Sequence, residues 1–263
     1  MIDIHSHLLP GVDDGSVSFQ QSLEQIRIIF QSGVTRLYLT PHFMRNLYHN
    51  TNKVLQPVFE ELQEKVKSAK IEIDLKLGCE YFLDNHGAET IKEENLQLGN
   101  SNYVLCETML GQLPPNLIEM IYQIQKAGYK LIFAHPERYT DIIRKPELVE
   151  ELLHHDIYFQ LNAGSLLGMY GRNVEHTVWW LLRNGYAHFM ASDNHGNHTG
   201  SVQAIAKGVI EQELSSSIAE QLLITNPEKI ETGEKIEIFN HWRIREDQSN
   251  FWGKLKRFFT GYE

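Results

Sequence analysis

The sequence predicts an α/β protein on a parallel sheet, and three observations predict it. Seven short apolar runs recur along the 263 residues. They are mostly continuous rather than alternating, as in strands covered on both faces. Between them lie longer segments with apolar residues at helical spacing, so strand and helix alternate.

The first run spans residues 2–5. Ser18 and Gln21 then form a capping box, Leu23, Ile26, Ile29 and Phe30 mark one helix face, and Gly33 ends that helix. A second strand at 36–40 precedes a helix striped by Leu55, Phe59, Leu62 and Val66. Strands at 71–77 and 103–107 follow. Pro114-Pro115 then introduces a helix carrying Leu117, Ile118, Ile121 and Ile124, closed by Gly128. Strands at 130–134 and 157–161 come next. Val174, Val178, Leu181 and Leu182 stripe a helix ended by Gly185, before the last strand at 187–191 and a helix over 202–210. An open doubly wound sheet and a closed barrel both satisfy this order. No Gly-x-Gly-x-x-Gly turn follows any strand, which weighs against a dinucleotide fold. Residues 1–235 read as one domain and 236–263 as a C-terminal extension.

Lys and Arg number 24 against 34 Asp and Glu, a net charge of −10, which argues against a nucleic-acid binder. The start of the chain is polar rather than a signal peptide, and no apolar run approaches a membrane span. With only Cys79 and Cys106 a disulfide framework is excluded. The expectation is a cytoplasmic protein. The tail aromatics Phe251, Trp252, Phe258 and Phe259, with Lys254, Lys256 and Arg257, are read as packing on the domain or disordered. Contact with a membrane or partner is the alternative.

The 13 histidines carry the chemistry. Metal-ligating residue types follow most of the strands: His5 and His7, His42, Glu80, Glu107, His135, and Asp193 with His195. In parallel α/β folds the carboxyl ends of all strands share one face, where sites form. In His-x-His on extended backbone, positions i and i+2 point to the same side, so His5 and His7 suit one ion, and Asp193-x-His195 repeats the spacing. Asp13-Asp14, after the first strand, adds an oxygen donor, taken as Asp14. Imidazole and carboxylate without thiolate suit manganese, iron or zinc. So many donors exceed one ion and point to two or three sharing carboxylates, an arrangement suited to phosphoryl displacement. Arg138, three residues after His135, is placed to clamp phosphate oxygens, with a salt bridge to a metal ligand as its alternative. Cys79 and Cys106 precede the glutamates and should point away from them. Neither opens a Cys-x5-Arg loop, which excludes thiol phosphatase chemistry.

Met1-Ile2-Asp3-Ile4-His5-Ser6-His7 with Val12-Asp13-Asp14-Gly15 resembles the opening of bacterial manganese-dependent tyrosine-protein phosphatases of the polymerase and histidinol phosphatase (PHP) superfamily. Thr40-Pro41-His42, Gly78-Cys79-Glu80-Tyr81, Ala134-His135-Pro136-Glu137-Arg138-Tyr139 and Ala191-Ser192-Asp193-Asn194-His195 extend the likeness in order to about residue 230. The resemblance implies a distorted (β/α)7 TIM-like barrel with three divalent ions, manganese foremost and iron or zinc possible. By position, His5, His7, Glu80 and Asp193 would surround the first ion and Asp14, His42 and His195 the second. Glu80, Glu107 and His135 would serve the third. The implied role is removal of phosphate from C-terminal tyrosines of autophosphorylating kinases that control capsule or exopolysaccharide export, by direct attack of a metal-bound hydroxide. Relatives often carry an arginine shortly after the Asp-x-His motif. Here Gly196-Asn197-His198-Thr199-Gly200-Ser201 has none, leaving Arg138 alone or His198 as substitute. The rival expectations are a histidinol-phosphate phosphatase, a metal-dependent amidohydrolase, and a non-catalytic metal-bound scaffold that docks a kinase.

Overall fold

Nine short strands, all parallel, form the centre of the computed structural model, which describes residues 1–197 and 201–237. They are β1 (Ile2–Asp3), β2 (Arg36–Leu39), β3 (His42–Phe43), β4 (Asp74–Leu77), β5 (Glu80–Phe82), β6 (Tyr103–Glu107), β7 (Lys130–Ala134), β8 (Tyr158–Asn162) and β9 (Phe189–Ala191). β1, β2 and β4 pair in that order, and β3, β5, β6, β7, β8 and β9 in theirs. β2 and β3 are halves of one strand broken at Pro41, and β4 and β5 are halves of another broken at Gly78-Cys79. The ladder runs across both breaks, because Gly78 N donates to Leu39 O at 2.9 Å and Glu80 N to Pro41 O at 3.2 Å. A Cβ on Gly78 would meet Leu98 Cδ2 at 2.7 Å and Leu98 Cα at 3.3 Å, so the close approach of Leu98 to the break favours glycine.

The seven composite strands close on themselves. Asp193 N donates to His5 O at 3.0 Å and His7 N to Asn194 O at 2.9 Å, with a parallel bridge between Ser6 and Asn194. Below them the Asp3 side chain accepts from Ser192 N at 3.0 Å. The open-sheet alternative is thereby excluded, and the fold is a closed α/β barrel. Burial pushes the Asp3 carboxyl up to about 6.

Both faces of the barrel wall are covered. Tyr103 and Leu105 of β6 join Ile2, Ile4, Ile132, Ala134 and Phe189 in an inner cluster. The intervening Val104 and Cys106 join Leu131, Phe133 and Phe159 in the outer cluster beneath the helices. Two buried faces explain why the strand runs read as continuously apolar. Cys79 also lies in the outer cluster, turned from the glutamate that follows it, as its position predicts.

The five striped helices are Phe19–Gln31, Asn52–Ser68, Leu117–Lys126, Arg172–Arg183 and Val202–Glu213. Ser18 Oγ accepts from Gln21 N at 3.3 Å, but the Gln21 side-chain Oε1 accepts from Val17 N at 2.9 Å rather than from Ser18 N, so the capping box is only half made. The strand expected at 71–77 begins only at Asp74. Lys70 adopts φ 54°, and Ile71 N donates back to Val66 O at 3.2 Å, so residues 71–73 belong to the helix exit. Short helices such as Gly87–Glu94 and Leu148–Leu153 add turns that the periodicity did not reveal. Among the described residues, no helix is long and apolar enough to cross a membrane. Ile236 is buried in the inner cluster and its carbonyl accepts from Tyr158 Oη at 3.3 Å. The tail aromatics and basic residues lie outside the described residues.

Candidate metal centre

The barrel gathers the candidate donors at the carboxyl ends of its strands. His5 and His7 follow β1, His42 and Glu80 open β3 and β5 side by side in register, and Glu107 closes β6. His135 and Asp193 follow β7 and β9 with φ of 39° and 52°, left-handed values rare outside glycine. On β7, Ile132 and Ala134 face inward, so extended backbone would turn residue 135 outward. The reversal at His135 brings its ring inside instead. Such conformations cost roughly 1–3 kcal/mol each and persist where packing or function imposes them.

The donor atoms converge. His5 Nε2 lies 3.2 Å from Glu80 Oε2 and 3.4 Å from Asp193 Oδ1, and His7 Nε2 lies 3.3 and 3.5 Å from the same oxygens. His42 Nδ1 is 3.0 Å from Glu80 Oε2 and 3.1 Å from Glu107 Oε1, while its Nε2 is 3.5 Å from Asp14 Oδ1. His195 Nε2 lies 3.6 Å from Asp14 Oδ1. His135 Nε2 lies 3.0 Å from Glu80 Oε1 and 3.9 Å from Glu107 Oε2. Donors bonded to one ion at about 2.1 Å sit about 3.0–3.5 Å apart in octahedral or tetrahedral geometry. Of the two adjacent aspartates, Asp14 faces this cluster. Asp13 stands behind it, accepting from His7 Nδ1 at 2.7 Å and from the backbone of Gly15 and His42 at 3.0 and 3.1 Å.

Hydrogen-bond polarity shows what these atoms can hold. Asp193 Oδ2 only accepts, so Asn162 Nδ2 donates to it at 2.6 Å. Asn162 Oδ1 then accepts from Gln160 Nε2 at 2.8 Å, and Gln160 Oε1 accepts from His5 Nδ1 at 2.7 Å. The proton of neutral His5 is therefore on Nδ1, and Nε2 offers a lone pair. Asp13 fixes His7 in the same tautomer, and the Asp193 carbonyl, 3.0 Å from His195 Nδ1, does so for His195. His5 Nε2 and His7 Nε2 are 3.0 Å apart. Two facing lone pairs repel unless a cation lies between them. Glu80 Oε2 and His42 Nδ1 are buried in the cluster without a hydrogen-bond partner. A set of imidazoles and carboxylates with these orphaned atoms fits divalent cations and no thiolate-loving metal.

Burial pushes the His5, His7 and His42 imidazoles down, but the surrounding carboxylates outweigh it and raise all three, His42 to about 10, so the pocket is built to hold positive charge, which divalent ions would supply in place of protons. Burial pushes the Glu80 carboxyl up, but the His5 and His42 rings outweigh it and hold the group well below its usual range. Asp193 is likewise buried yet held low, by His5, His7 and His135. Burial and the neighbouring His7 push the His195 imidazole down, toward the neutral form a ligand needs. Exposure is graded: His5, His7, Glu80 and Asp193 are buried, whereas the Asp14 side chain is 52% exposed and that of His195 31%. The cluster thus opens to solvent on the Asp14 side.

Arg138 sits beside the cluster, its Nη1 donating to Asp193 Oδ2 at 3.0 Å and its guanidinium stacked 4.5 Å from the Tyr170 ring centroid. The salt bridge to a cluster carboxylate, the alternative reading of this residue, is thus present. His198 lies outside the described residues. Gln160 and Asn162 were missed as site residues, and Asp13 was the aspartate set aside. Their signal was available: Gln160 and Asn162 are polar at alternate positions of a strand buried on both faces, which is costly unless they are paired.

Comparison with known proteins gives a consistent picture. A family model described as capsular polysaccharide synthesis, CpsB/CapC, matches residues 1–231. The chain is 32% identical over 196 residues to a putative tyrosine-protein phosphatase CapC of Staphylococcus aureus, covering 74% of this chain and 77% of that protein. It is 29% identical over 220 residues to the tyrosine-protein phosphatase YwqE of Bacillus subtilis, covering 83% and 87%. Its fold matches, with TM-score 0.84 and 28% identity, a crystal structure from work on B. subtilis YwqE and Streptococcus pneumoniae CpsB, described as unique metal-dependent tyrosine phosphatases. The match covers 90% of this chain and 96% of that one. A histidinol phosphate phosphatase from Lactococcus lactis shares the fold at TM-score 0.53 and 12% identity, over 85% and 96% of the two chains.

Proposed function

The chain belongs to the CpsB/CapC family of capsular polysaccharide synthesis and is a metal-dependent tyrosine-protein phosphatase; we propose that its substrate is the phosphotyrosyl C-terminal tail of an autophosphorylated bacterial tyrosine kinase regulating capsule or exopolysaccharide synthesis in the cytoplasm. His5, His7, Glu80 and Asp193 hold one divalent ion, Asp14, His42 and His195 a second, and Glu80, Glu107 and His135 a third. Manganese is the first choice, and iron or zinc suits the same donors. The observation that carries this reading is the set of bare Nε2 lone pairs on His5, His7 and His195, each fixed by an acceptor on the opposite nitrogen and each facing carboxylate oxygens.

Divalent cations held here supply an acidified water and positive charge for the transferring phosphoryl group. The residues do the rest. The Gln160–Asn162 relay and Asp13 keep the imidazoles in ligating tautomers and orientations. Arg138, gripped by Asp193 and flattened on Tyr170, presents a fixed cation to a phosphate oxygen. His198 is a second candidate for that contact. The local positive field lets a chain of net charge −10 accept an anionic substrate.

The test is metal analysis with parallel assays on manganese-loaded protein. Two or three tightly held ions per chain, turnover of a phosphotyrosyl peptide and loss of that turnover after chelation are expected. Fewer than two held ions would overturn the ligand assignment. Rapid hydrolysis of histidinol phosphate with negligible turnover of the peptide would overturn the substrate.

A further inference from the structure

We propose that the barrel mouth carries an apolar collar that grips the polypeptide on either side of the phosphotyrosine, selecting tails whose flanking residues are uncharged and apolar or aromatic. The inference rests on the phosphatase reading above and deepens it.

Among the described residues, nine large apolar side chains are exposed to water, and six of them share one end of the barrel. Val17 (79% exposed), Leu47 (67%), Met109 (72%), Leu110 (37%), Met169 (51%) and Tyr170 (36%) lie in the segments that lead from the carboxyl ends of strands to the next long helix, whereas Val54, Tyr122 and Ile205 lie on helices. Each loop is tied to the donor cluster. Val17 N donates to the Gln21 side chain, which in turn donates to the carbonyl of Gly196, next to His195. Leu47 sits in the turn from Met44 to Tyr48, and the Tyr48 ring stacks on His42 with centroids 5.8 Å apart. Met109 and Leu110 follow Glu107 after a single residue, Thr108. Tyr170 lies under the Arg138 guanidinium, with Met169 beside it. Four arcs of apolar surface thus stand around one charged centre.

Single exposed apolar residues need no explanation, but several converging on one opening mark an interaction surface. The occupant follows from position. A phosphotyrosine that reaches the cluster carries its own backbone across these loops. The charged centre can recognise the phosphoryl group but little of the chain attached to it, so selectivity for a polypeptide needs surface at the rim. Binding there, remote from the reacting atoms, is the kind that orients a substrate at the reacting centre. Polarity narrows the occupant further. An apolar rim strips water from the flanks that lie on it, so charged flanking residues, aspartate included, bind there less well than apolar ones.

The test compares three substrates of the manganese-loaded full chain: a phosphotyrosyl peptide with apolar flanks, the same peptide with aspartate flanks, and p-nitrophenyl phosphate. The variants are Val17→Ser, Leu47→Ser and Met109→Ser, singly and together. The triple variant should lower kcat/KM for the apolar peptide about tenfold, mainly through KM, and leave p-nitrophenyl phosphate within about twofold. The wild type should prefer apolar over aspartate flanks. Unchanged peptide kinetics in the triple variant, or equal losses on peptide and p-nitrophenyl phosphate, would overturn the collar. So would a wild-type dimer that the triple variant converts to monomer, because the surface would then belong to a second copy. No turnover of any substrate by the wild type would instead strike the phosphatase reading itself.

Discussion

His5 Nδ1 and Gln160 Oε1, 155 residues apart in sequence, are joined by a buried 2.7 Å hydrogen bond whose direction is set by the amides behind it. Because Gln160 Nε2 is committed to Asn162 and Asn162 Nδ2 to Asp193, the Gln160 oxygen must face His5. The bond decides which nitrogen of His5 is available to a cation. Gln160→Leu is therefore expected to weaken metal affinity about 10–100-fold, the usual scale for losing such a partner. Gln160→Glu keeps the acceptor and should recover part of the loss. Competition with a fluorescent chelator measures both, and wild-type affinity in Gln160→Leu would show that the relay does not orient His5.

The two neighbouring aspartates should separate by phenotype. Asp14 is half exposed and, among the described residues, pairs with His42 and His195, so Asp14→Ala should lower the number of bound ions while leaving the melting temperature of the metal-free protein unchanged. Asp13 accepts from His7, Gly15 and His42, and Asp13→Ala should lower that melting temperature as well, because three donors lose their acceptor. Elemental analysis and thermal melts of stripped protein give the comparison. The opposite pattern would reverse the roles assigned to the pair.

Arg138→Ala should cut kcat/KM about 10–100-fold toward both peptide and p-nitrophenyl phosphate, the scale of one charge-assisted contact. Arg138→Lys should rescue little, because an ammonium cannot both hold Asp193 and stack flat on Tyr170. Metal content of both variants should match the wild type. A fall in bound metal in step with activity would make Arg138 a support for Asp193 rather than a phosphate contact.

A pH dependence follows from a carboxylate away from the centre. Burial pushes the Asp84 carboxyl up, but the Tyr81 hydroxyl, the His86 backbone N–H and Arg45 outweigh it and hold the group below its usual value. A depressed folded value means that the stabilisation is present above the unfolded pKa and is lost as pH falls through the folded one. Asp84→Ala should cost about 1–2 kcal/mol in urea melts at pH 7. The gap between variant and wild type should narrow steadily below pH 4. A gap independent of pH would mean that Asp84 acts by packing alone.

Much of the barrel and its site was legible because few residue types tolerate these positions. Strands buried on both faces must be continuously apolar, so 103–107, 130–134 and 157–161 stood out. Histidines at alternate positions beyond a strand end have few structural uses, so His5 and His7 were visible as a pair. Legibility failed where a role depends on a partner distant in sequence. Nothing local tells Asp13 from Asp14; the difference is that one aspartate reaches back to His7 and the other outward to His42. Gln160 and Asn162 read as the polar end of a strand until the barrel closed and placed His5 and Asp193 at their tips. The breaks at Pro41 and Gly78 were equally hidden, since a strand that stops and one that kinks and resumes look alike until its neighbour is known.

The seam where the first and last strands meet has a consequence for how the molecule is assembled. His5 and His7 emerge from the ribosome first, yet Asp193 and His195 on the opposite lip appear nearly two hundred residues later. With the proposed ligand set, tight capture of an ion would wait until the final strand has docked, so cation retention would report a finished circle rather than a partial one. An ion held there would staple the two lips, and the ring would not reopen without first surrendering its cargo.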